Sequence, residues 1–417
     1  MAPRAKKEKP VENSFDFFAT LKTGNKDADS NAAPKETTWI DTGCYSYNAL
    51  ISGDLSKGFP TNRVFMLAGE EAVGKTFFGI FGFCKPLVDQ GYFIYYIDTE
   101  NAVDENLLEG FGLPKGSFKI LREDVVEETR TRVDGILTKL EDAKGRKAVN
   151  ANKCAFVLDS QGMLDSLKSR RDTESENYVN DMTLQKELKK FYKTVVKRLG
   201  DLDVPMLVTN HVYANIGGYG SATKVAGGSG GLYASSVILH LRKKQYKEGT
   251  LRTGTIVTAK NVKSRICQDG LEGAMYLNFD RGLNKWYGLH TLALEAKLIE
   301  KWSAAKYDKK GVIGPEKAGN SNWYVLKDPK ITTDEWIVCK ENDLHKKSTI
   351  GTIFDEINDH VKLTFKLKRP ADFSWDDVED EQVLDIDEDN LVDVDTKETK
   401  AKKKAKNMGL EIPLNDD

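Results

Sequence analysis

The stretch VFMLAGEEAVGKTFFGIFGF, from Val64 to Phe83, determines the fold class of this chain. Its first five residues are an apolar, strand-like run, and the segment from Gly69 to Thr76 has the spacing GxxxxGK[ST]. An apolar, helix-like run follows directly. This order of strand, glycine-rich loop and helix is typical of a P-loop. A glycine-rich structural turn is the alternative interpretation, and the matching flanks on both sides disfavour it.

The residue types in this loop suit a bound phosphate chain. Gly69 and Gly74 allow backbone N–H groups to wrap phosphates, and the following helix N-terminus favours an anion. Lys75 can reach the β and γ phosphates, while the Thr76 hydroxyl can ligate Mg²⁺. The predicted nucleotide-binding residues of the loop are Gly69, Glu70, Glu71, Ala72, Val73, Gly74, Lys75, Thr76 and Phe77.

Short, continuous apolar runs recur between residues 37 and 300 and are separated by longer segments with helical spacing. Such runs are typical of strands buried on both faces, and their alternation with helices predicts a parallel sheet with helices on both sides. The predicted strands are Val64 to Ala68, Tyr92 to Asp98, Cys154 to Asp159 and Pro205 to Asn210; the clearest predicted helices are Val125 to Asp142 and Met182 to Leu199.

Further along the chain the pattern changes to strand-like runs with short connections, which predict an antiparallel extension of the sheet. These runs are Ser235 to Gln245, Gly254 to Ser264 and Ala274 to Phe279. Residues 300 to 368 combine a helix-like segment, Thr349 to Val361, with short Trp-bearing runs. We expect a small α+β domain there.

Two acidic residues that follow buried strands are candidates for the chemistry of an NTPase. Asp159 ends the run CAFVLD and is the candidate for holding the metal. The alternative interpretation is that Asp159 caps the next segment. We disfavour it because four apolar residues precede Asp159 and predict a buried strand. Glu100 lies just past another strand, where it could orient a water molecule, and Asp98 is the competing candidate.

Charge is unevenly distributed along the chain. The 62 Lys and Arg residues nearly balance 64 Asp and Glu residues, yet twelve of the acids and no basic residue lie between residues 371 and 395. The body is therefore basic and the tail acidic. Five scattered cysteines show no metal spacing, and no apolar run is long enough for a membrane span. We expect a soluble, cytoplasmic protein with reduced thiols.

Six ordered segments resemble the RecA family of recombinases, and in particular the UvsX-type recombinases of T-even-like phages. They are GEEAVGKT, YYIDTENAVD, FVLDSQGML, LVTNHVYANIG, GGSGGLYASSVILHLRKK, and KSR followed by LNFDRG. The resemblance implies a RecA-type P-loop ATPase core. It also implies a DNA-dependent ATPase that uses ATP and Mg²⁺, yields ADP and phosphate, and forms a helical filament on single-stranded DNA to exchange strands with a homologous duplex.

The resemblance also implies roles for individual residues. Glu100 is similar to the catalytic glutamate and Asp104 to the acidic residue that contacts adenine. Asn210 and His211 occupy the place of a pair that senses the γ-phosphate, although the family has Gln at the second position. Lys263 and Arg265 match two basic residues that reach the ATP of the neighbouring protomer. A solvated strand edge is the alternative for this pair. Leu107 replaces the family's adenine-stacking Tyr.

Two segments are candidates for contact with DNA. The first, Asp165 to Asn180, follows the metal-site strand and contains Lys168, Arg170 and Arg171. The second, Tyr213 to Gly231, is glycine-rich, has no acidic residue and contains Tyr213, Tyr219 and Lys224. Glycine N–H groups can bind phosphates and tyrosines can stack on bases. A long insertion without regular structure is usually functional or disordered, so a flexible linker is the alternative.

The expected domains are an N-terminal arm at 1–36, a core at 37–300, a small C-terminal domain at 301–368 and a disordered acidic, then basic, tail at 369–417. The arm contains Phe15, Phe17 and Phe18 and is expected to contact another protomer; packing of this aromatic cluster on its own chain is the alternative. A single-strand-binding protein and a loading mediator are expected partners. Two other functions remain open: a ring-forming RecA-fold helicase or KaiC-like ATPase, and a non-enzymatic ATP-gated DNA scaffold.

Overall fold

The buried apolar runs of the sequence form one large mixed sheet in the computed structural model of the chain. The structure describes residues 37–145, 153–174, 182–214, 223–226, 228–248, 251–307, 310–312, 314 and 322–366. The strands are β1 Trp39–Ile40, β2 Phe59–Pro60, β3 Val64–Gly69, β4 Phe93–Asp98, β5 Phe118–Arg122, β6 Cys154–Asp159, β7 Met206–Ala214, β8 Thr223–Val225, β9 Val237–Glu248, β10 Leu251–Ser264, β11 Glu272–Asn278, β12 Gly282–Leu283, β13 Ile299–Lys301, β14 Trp323–Leu326 and β15 Ile337–Lys340.

Helices cover both faces of this sheet, as the alternation of segments predicts. They are α1 Tyr45–Ser52, α2 Lys75–Gly79, α3 Lys85–Asp89, α4 Glu105–Gly110, α5 Val126–Gly145, α6 Leu167–Glu174, α7 Thr183–Leu202, α8 Ser229–Ala234, α9 Leu289–Glu295, α10 Ala304–Tyr307 and α11 Phe354–Phe365. A π-helical turn, Ile80–Cys84, joins α2 to α3. None of the helices in the described ranges has the length and apolar character needed to cross a membrane.

The strand order in the large sheet is β12-β11-β10-β9-β3-β7-β6-β4-β5, with β8 paired to β7. Strands β3, β4, β5, β6 and β7 run parallel to their neighbours, and β3 also runs parallel to β9. Strands β9 to β12 are joined by antiparallel pairs. The predicted parallel sheet with an antiparallel extension is confirmed.

Register places the carboxyl ends of the central strands side by side. Asp98 lies opposite Asp159 in the β4–β6 pair, and Gly69 lies opposite His211 in the β3–β7 pair. Because loops at the carboxyl edge of a parallel sheet meet in a shared crevice, this edge is where a ligand site is expected.

Apolar cores lie on the two faces of the sheet. One contains Phe65, Phe78, Phe83 and other side chains of β3 and the helices that follow it. The other contains Met66, Phe156 and the apolar face of α7. Alternate residues of β3 therefore enter different cores, which explains why the strand reads as a continuous apolar run.

The C-terminal segment forms a three-stranded antiparallel sheet, ordered β13-β14-β15, and the helix α11. A further apolar cluster joins Ile353, Ile357 and Phe365 of this segment to Leu289 of α9 and Ala49 of α1. Side chains on both sides of position 300 thus share one core. The predicted helix at Thr349 to Val361 begins as a 3-10 turn at Ile350–Ile353 and continues as α11.

Candidate nucleotide-binding and catalytic site

The P-loop connects β3 to α2 with two residues in the left-handed backbone region. Ala72 has φ 54° and Gly74 has φ 101°. Position 69 also requires glycine, because the backbone of β9 lies close to it. A Cβ at this position would lie 2.8 Å from the carbonyl oxygen of Leu241. A tight turn of this kind at the start of a helix is the backbone conformation used by phosphate-binding loops.

Lys75 is 8% exposed and lies folded against the loop that carries it. Its Nζ donates to the carbonyl oxygens of Gly69 and Glu70, at 3.0 and 2.8 Å. Burial lowers the pKa of Lys75, while the nearby carboxylates of Asp159, Glu100 and Glu71 oppose this effect. A buried cation held only by neutral carbonyls is a suitable partner for a phosphate.

Asp159 lies at the centre of a buried hydrogen-bond network. Its Oδ2 accepts from the Thr76 hydroxyl at 2.8 Å and from the Tyr96 hydroxyl at 2.6 Å. Its Oδ1 accepts from the hydroxyl of Thr209. The carboxylate therefore points across the sheet edge to the P-loop instead of capping the following 3-10 turn. The peptide bond from Asp159 to Ser160 is cis.

The donor set fits a magnesium ion beside a triphosphate. A threonine hydroxyl and a carboxylate meet at the start of α2, and hard oxygen ligands of this kind are those that Mg²⁺ prefers. Thr76 would hold the ion directly and Asp159 would hold it through water. When bound, the ion neutralises charge that develops on the phosphates during transfer.

Glu100 lies at the same edge and is held by two partners. Its Oε1 accepts from the Ser160 hydroxyl at 2.6 Å and lies 3.1 Å from Nε2 of His211. Partial burial acts to raise the pKa of Glu100, but the bonds from Ser160 and His211 outweigh it and the pKa falls below its ordinary value. The carboxylate is ionised at neutral pH and held by both partners.

Asp98, the competing carboxylate, has a structural role. It accepts from the backbone N–H groups of Glu100, Ala102 and Val103 and pairs with Arg122 at 3.1 Å. Its oxygens are thus used to fix the turn that carries Glu100. The geometry supports Glu100 as the residue facing a nucleotide.

Asn210 and His211 connect this site to the second predicted DNA segment. Asn210 is fully buried, and its Nδ2 donates to the carbonyl oxygen of Ala226 at 3.0 Å. The backbone N–H of Ala226 in turn donates to the carbonyl of His211. The backbone of His211 and the side chain of Asn210 are therefore both bonded to Ala226, which lies within that segment.

The remaining residues predicted to contact the nucleotide lie around the P-loop and at the start of α4. Asp104 caps α4 by accepting from the N–H of Leu107 at 2.7 Å, and Leu107 packs on the core. Phe77 is 38% exposed and its ring meets that of Phe111. Glu70 and Glu71 are exposed on the loop. The use of Asp104 as a helix cap leaves one of its oxygens for another partner.

Lys263 and Arg265 do not join this site. Lys263 lies opposite Ile238, and Ile238 lies opposite Met66, three residues before the P-loop begins. The pair is therefore about 10 Å back along β3 and two strands away from it. Within one protomer these two residues lie apart from the P-loop.

The predicted DNA contacts are described only in part. Lys168, Arg170 and Arg171 lie on α6, where Arg170 pairs with Asp124. Tyr213, at the end of β7, is 59% exposed. Tyr219 lies outside the described residues, and for Lys224 the structure describes the backbone alone. The expectation of no regular structure from 213 to 231 is wrong at both ends, because β8 pairs with β7 and α8 begins at Ser229.

Sequence analysis missed a basic face on α7. Lys186, Lys189, Lys190, Lys193 and Lys197 are all exposed, and at 3.6 residues per turn they fall within an arc of about 100°. Lys190 pairs with Glu187, and among the described residues the other four form no ion pair. A Cβ on Gly230 would lie 3.2 Å from the backbone nitrogen of Lys189, so this face borders α8. The recurrence of lysine every three or four residues along this helix is the sequence pattern that could have predicted the basic face.

Comparison with known proteins finds relatives of one kind. No family model matches the chain. It is 25% identical over 267 residues to the recombination and repair protein of Enterobacteria phage T4, covering 62% of this chain and 65% of that protein. It is 24% identical over 275 residues to the mitochondrial DNA repair protein recA homolog 3 of Arabidopsis thaliana, covering 64% and 60%. It is 23% identical over 249 residues to RecA of Thermotoga petrophila, covering 58% and 65%.

The chain is thus similar in sequence to recombination and repair proteins of the RecA type. The RecA-type α/β core expected from the six segments is confirmed by these relatives together with the sheet. The chain spans slightly less than two thirds of the length of each of these three relatives. The similarity to these relatives supports the fold, and the activity is a matter for proposal from the geometry of the site.

Proposed function

We propose that this chain is an ATP-dependent DNA recombinase of the RecA type. It forms helical filaments on single-stranded DNA, pairs them with a homologous duplex and promotes strand exchange in recombination, repair and recombination-dependent replication. One observation carries the proposal. Asp159 and Thr76 meet at one end of β3, while Lys263 and Arg265 lie toward the other end, where they would meet a nucleotide only if a second copy presented it.

The proposed reaction converts ATP to ADP and phosphate. Lys75 and the P-loop N–H groups hold the phosphates, and Thr76 and Asp159 hold Mg²⁺. Glu100 orients a water molecule toward the γ-phosphorus, and its ionised state, maintained by Ser160 and His211, supports this role. Asp104 is proposed to contact the adenine, and the Asn210–His211 pair to sense the γ-phosphate.

The nucleotide site is proposed to be complete only between protomers. Lys263 and Arg265 would stabilise the charge on the phosphates bound by the neighbour, as cations supplied from a second subunit do in other phosphoryl-transfer enzymes. Hydrolysis should then depend on assembly. The accessibility of the two side chains supports this role, since Arg265 is exposed and Lys263 is partly exposed.

The DNA surface is proposed to combine α6, the segment after β7 and the basic face of α7. Lys168, Arg170, Arg171, Tyr213, Tyr219 and Lys224 are the contacts expected from the sequence. Like-charged residues four apart destabilise a helix by a few tenths of a kcal/mol per pair. The lysines of the α7 face are therefore better explained by a polyanion than by helix stability.

Other parts of the chain are proposed to serve assembly and loading. Residues 1–36 act as an arm toward a neighbouring protomer, 301–368 as a small C-terminal domain, and 369–417 as a tail that modulates DNA binding. Residues 1–36 and 367–417 lie outside the described residues. A single-strand-binding protein and a loading mediator are proposed partners, in the cytoplasm of a host cell.

The test is steady-state ATP hydrolysis without DNA, with single-stranded DNA and with duplex, each at several protein concentrations. We expect stimulation by single strands that rises steeply with protein concentration. Lys263→Ala should remove the stimulation, whereas Lys260→Ala on the same strand should retain it. Equal rates under all three conditions would contradict the proposal and favour a KaiC-like ATPase.

A further inference from the structure

Lys243 on β9 contacts the P-loop from the neighbouring strand. Its Nζ donates to the carbonyl oxygen of Ala72 at 2.6 Å. Strand β9 runs parallel to β3, and Leu241 lies opposite Gly69, where the P-loop begins. Residues two apart in a strand point to the same face, so Lys243 lies on the face of Leu241 and just beyond the end of β3. The lysine therefore reaches the loop from the strand beside it.

The backbone of Ala72 has a conformation that alanine rarely adopts. Its φ of 54° lies in the left-handed region, where the Cβ atom crowds the backbone. Ala72 is exposed, so the packing of its side chain does not hold it there. A conformation of this kind persists only when surrounding contacts fix it, and the bond from Lys243 is one such contact.

The same bond fixes the direction of the next backbone N–H. A trans peptide unit is planar, and its carbonyl oxygen and its N–H point to opposite sides. The carbonyl of Ala72 therefore determines where the N–H of Val73 points. Val73 is one of the loop residues predicted to bind the nucleotide, and because its apolar side chain is buried, the N–H is the donor that it can offer. Lys243 thus influences a phosphate donor without itself belonging to the loop.

Lys243 has no carboxylate partner in the described part of the chain. Its side chain is exposed, and the carbonyl of Ala72 is the partner found for its charge within those ranges. An exposed lysine ordinarily stays solvated, because holding its long side chain in one conformation costs entropy. Arg242, the preceding cation of β9, is exposed on the opposite face. A bond from Lys243 to a strained part of the nucleotide loop is therefore better explained by a role in that loop than by solubility.

We propose that Lys243 is a positioning residue of the nucleotide site, which keeps the P-loop in its phosphate-binding conformation. The inference rests on the proposed function. Lys243 holds the carbonyl of Ala72, this bond stabilises the left-handed backbone there, and the N–H of Val73 stays directed to the phosphates. The residue acts through the backbone of the loop and not as a further cation on the phosphates.

The experiment measures binding of a fluorescent ATP analogue to the full chain in Mg²⁺ without DNA, and ATP hydrolysis with saturating single-stranded DNA. In Lys243→Met we expect the dissociation constant of the analogue and the KM for ATP to rise by about threefold to tenfold, with kcat within about twofold of the wild type. This division is expected because a disturbed loop weakens binding of the ground state and the transition state alike. Lys243→Arg retains a donor and should retain most of the affinity.

Two further substitutions separate backbone geometry from charge. Arg242→Met removes the neighbouring cation on the opposite face of β9 and should leave the dissociation constant unchanged. Ala72→Gly introduces a residue that adopts positive φ without strain, so the loss of affinity caused by Lys243→Met should be smaller in the Ala72→Gly background. An equal loss in both backgrounds would show that Lys243 acts through its charge, and would overturn the inference.

An unchanged dissociation constant in Lys243→Met would also overturn the inference. So would a loss of affinity accompanied by a lower urea midpoint of the nucleotide-free variant, because that result would assign Lys243 to overall stability. A wild-type chain that does not bind the ATP analogue would instead refute the nucleotide site on which the proposed function depends. The wild-type titration therefore distinguishes the two failures.

Discussion

The imidazole of His211 lies 3.1 Å from the carboxylate of Glu100, which joins the residue best placed to orient water to the strand that leads toward the second DNA segment. Ser160 donates to the same carboxylate oxygen at 2.6 Å. Glu100 is therefore positioned by residues from two places, the end of β6 and the strand β7.

Replacing His211 with Ala should lower the DNA-stimulated rate of ATP hydrolysis by about tenfold and shift the acidic limb of its pH profile to higher pH. The bond to His211 helps to hold the pKa of Glu100 below its ordinary value, so without it the carboxylate protonates at a higher pH. His211→Gln is the matched control because it retains a donor. An unshifted acidic limb in His211→Ala would count against this coupling.

Replacing Thr76 with Ala should weaken Mg²⁺-dependent nucleotide binding by about tenfold to a hundredfold, because the hydroxyl that contacts Asp159 is the proposed metal ligand. Thr76→Ser should retain most of the affinity. Titration with a fluorescent ATP analogue, in Mg²⁺ and in EDTA, measures the difference. If Thr76→Ala binds equally well in Mg²⁺, the metal is held elsewhere.

Replacing Tyr96 with Phe should destabilise the chain by about 1.5 to 3 kcal/mol, since it removes a buried donor to a carboxylate. The control is Tyr95→Phe. Tyr95 is half-buried on the opposite face of β4, and no hydrogen bond of its hydroxyl is found within the described ranges. Urea unfolding with and without Mg²⁺–ATP measures both variants. If the two variants have the same free energy of unfolding, the hydrogen bond from Tyr96 to Asp159 does not contribute to stability.

Acid should destabilise the C-terminal core through His345. Burial lowers the pKa of His345 to about 4, and His290 beside it contributes. The Nδ1 atoms of both rings are buried without a partner in the described part of the chain. The unfolded chain therefore binds more protons between pH 6.5 and 4, and stability falls as pH decreases through this window by about 2 to 3 kcal/mol.

Urea unfolding at pH 7 and pH 4.5 tests this prediction, with His345→Phe as the variant. The decrease in stability on acidification should be smaller in the variant than in the wild type. His360 on α11 is half-buried and lies outside the His290–His345 pair, so His360→Phe serves as the control. A decrease that is the same in all three chains would assign acid sensitivity to other groups.

The basic face of α7 should contribute to the salt dependence of DNA binding. Replacing Lys186, Lys193 and Lys197 together with Gln should reduce the slope of log K against log salt by about 2 to 3, which is about one for each phosphate that the variant no longer neutralises. Three exposed lysines elsewhere, Lys119, Lys139 and Lys347, form the matched control. An unaltered slope in the α7 variant would place the DNA on another surface.

Local sequence determined the fold class and the nucleotide loop of this protein. The apolar runs specify strands buried on both faces, and GEEAVGKT specifies a phosphate-binding turn, because both depend on side-chain size and backbone freedom over a few consecutive residues. Asp159 and Glu100 could be predicted as site residues for the same reason, because Asp159 ends one strand-like run and Glu100 follows another.

Only the tertiary structure decided which distant groups act together. Tyr96 and Thr209 lie in separate strands, and only the register of the parallel sheet brings both to Asp159. The bonds that Lys263 and Arg265 donate to carbonyl oxygens of α8 depend likewise on strand pairing across the antiparallel extension. Such contacts arise from the packing of whole elements, which no pattern of neighbouring residues encodes, whereas turns and strands follow from short-range sterics and burial.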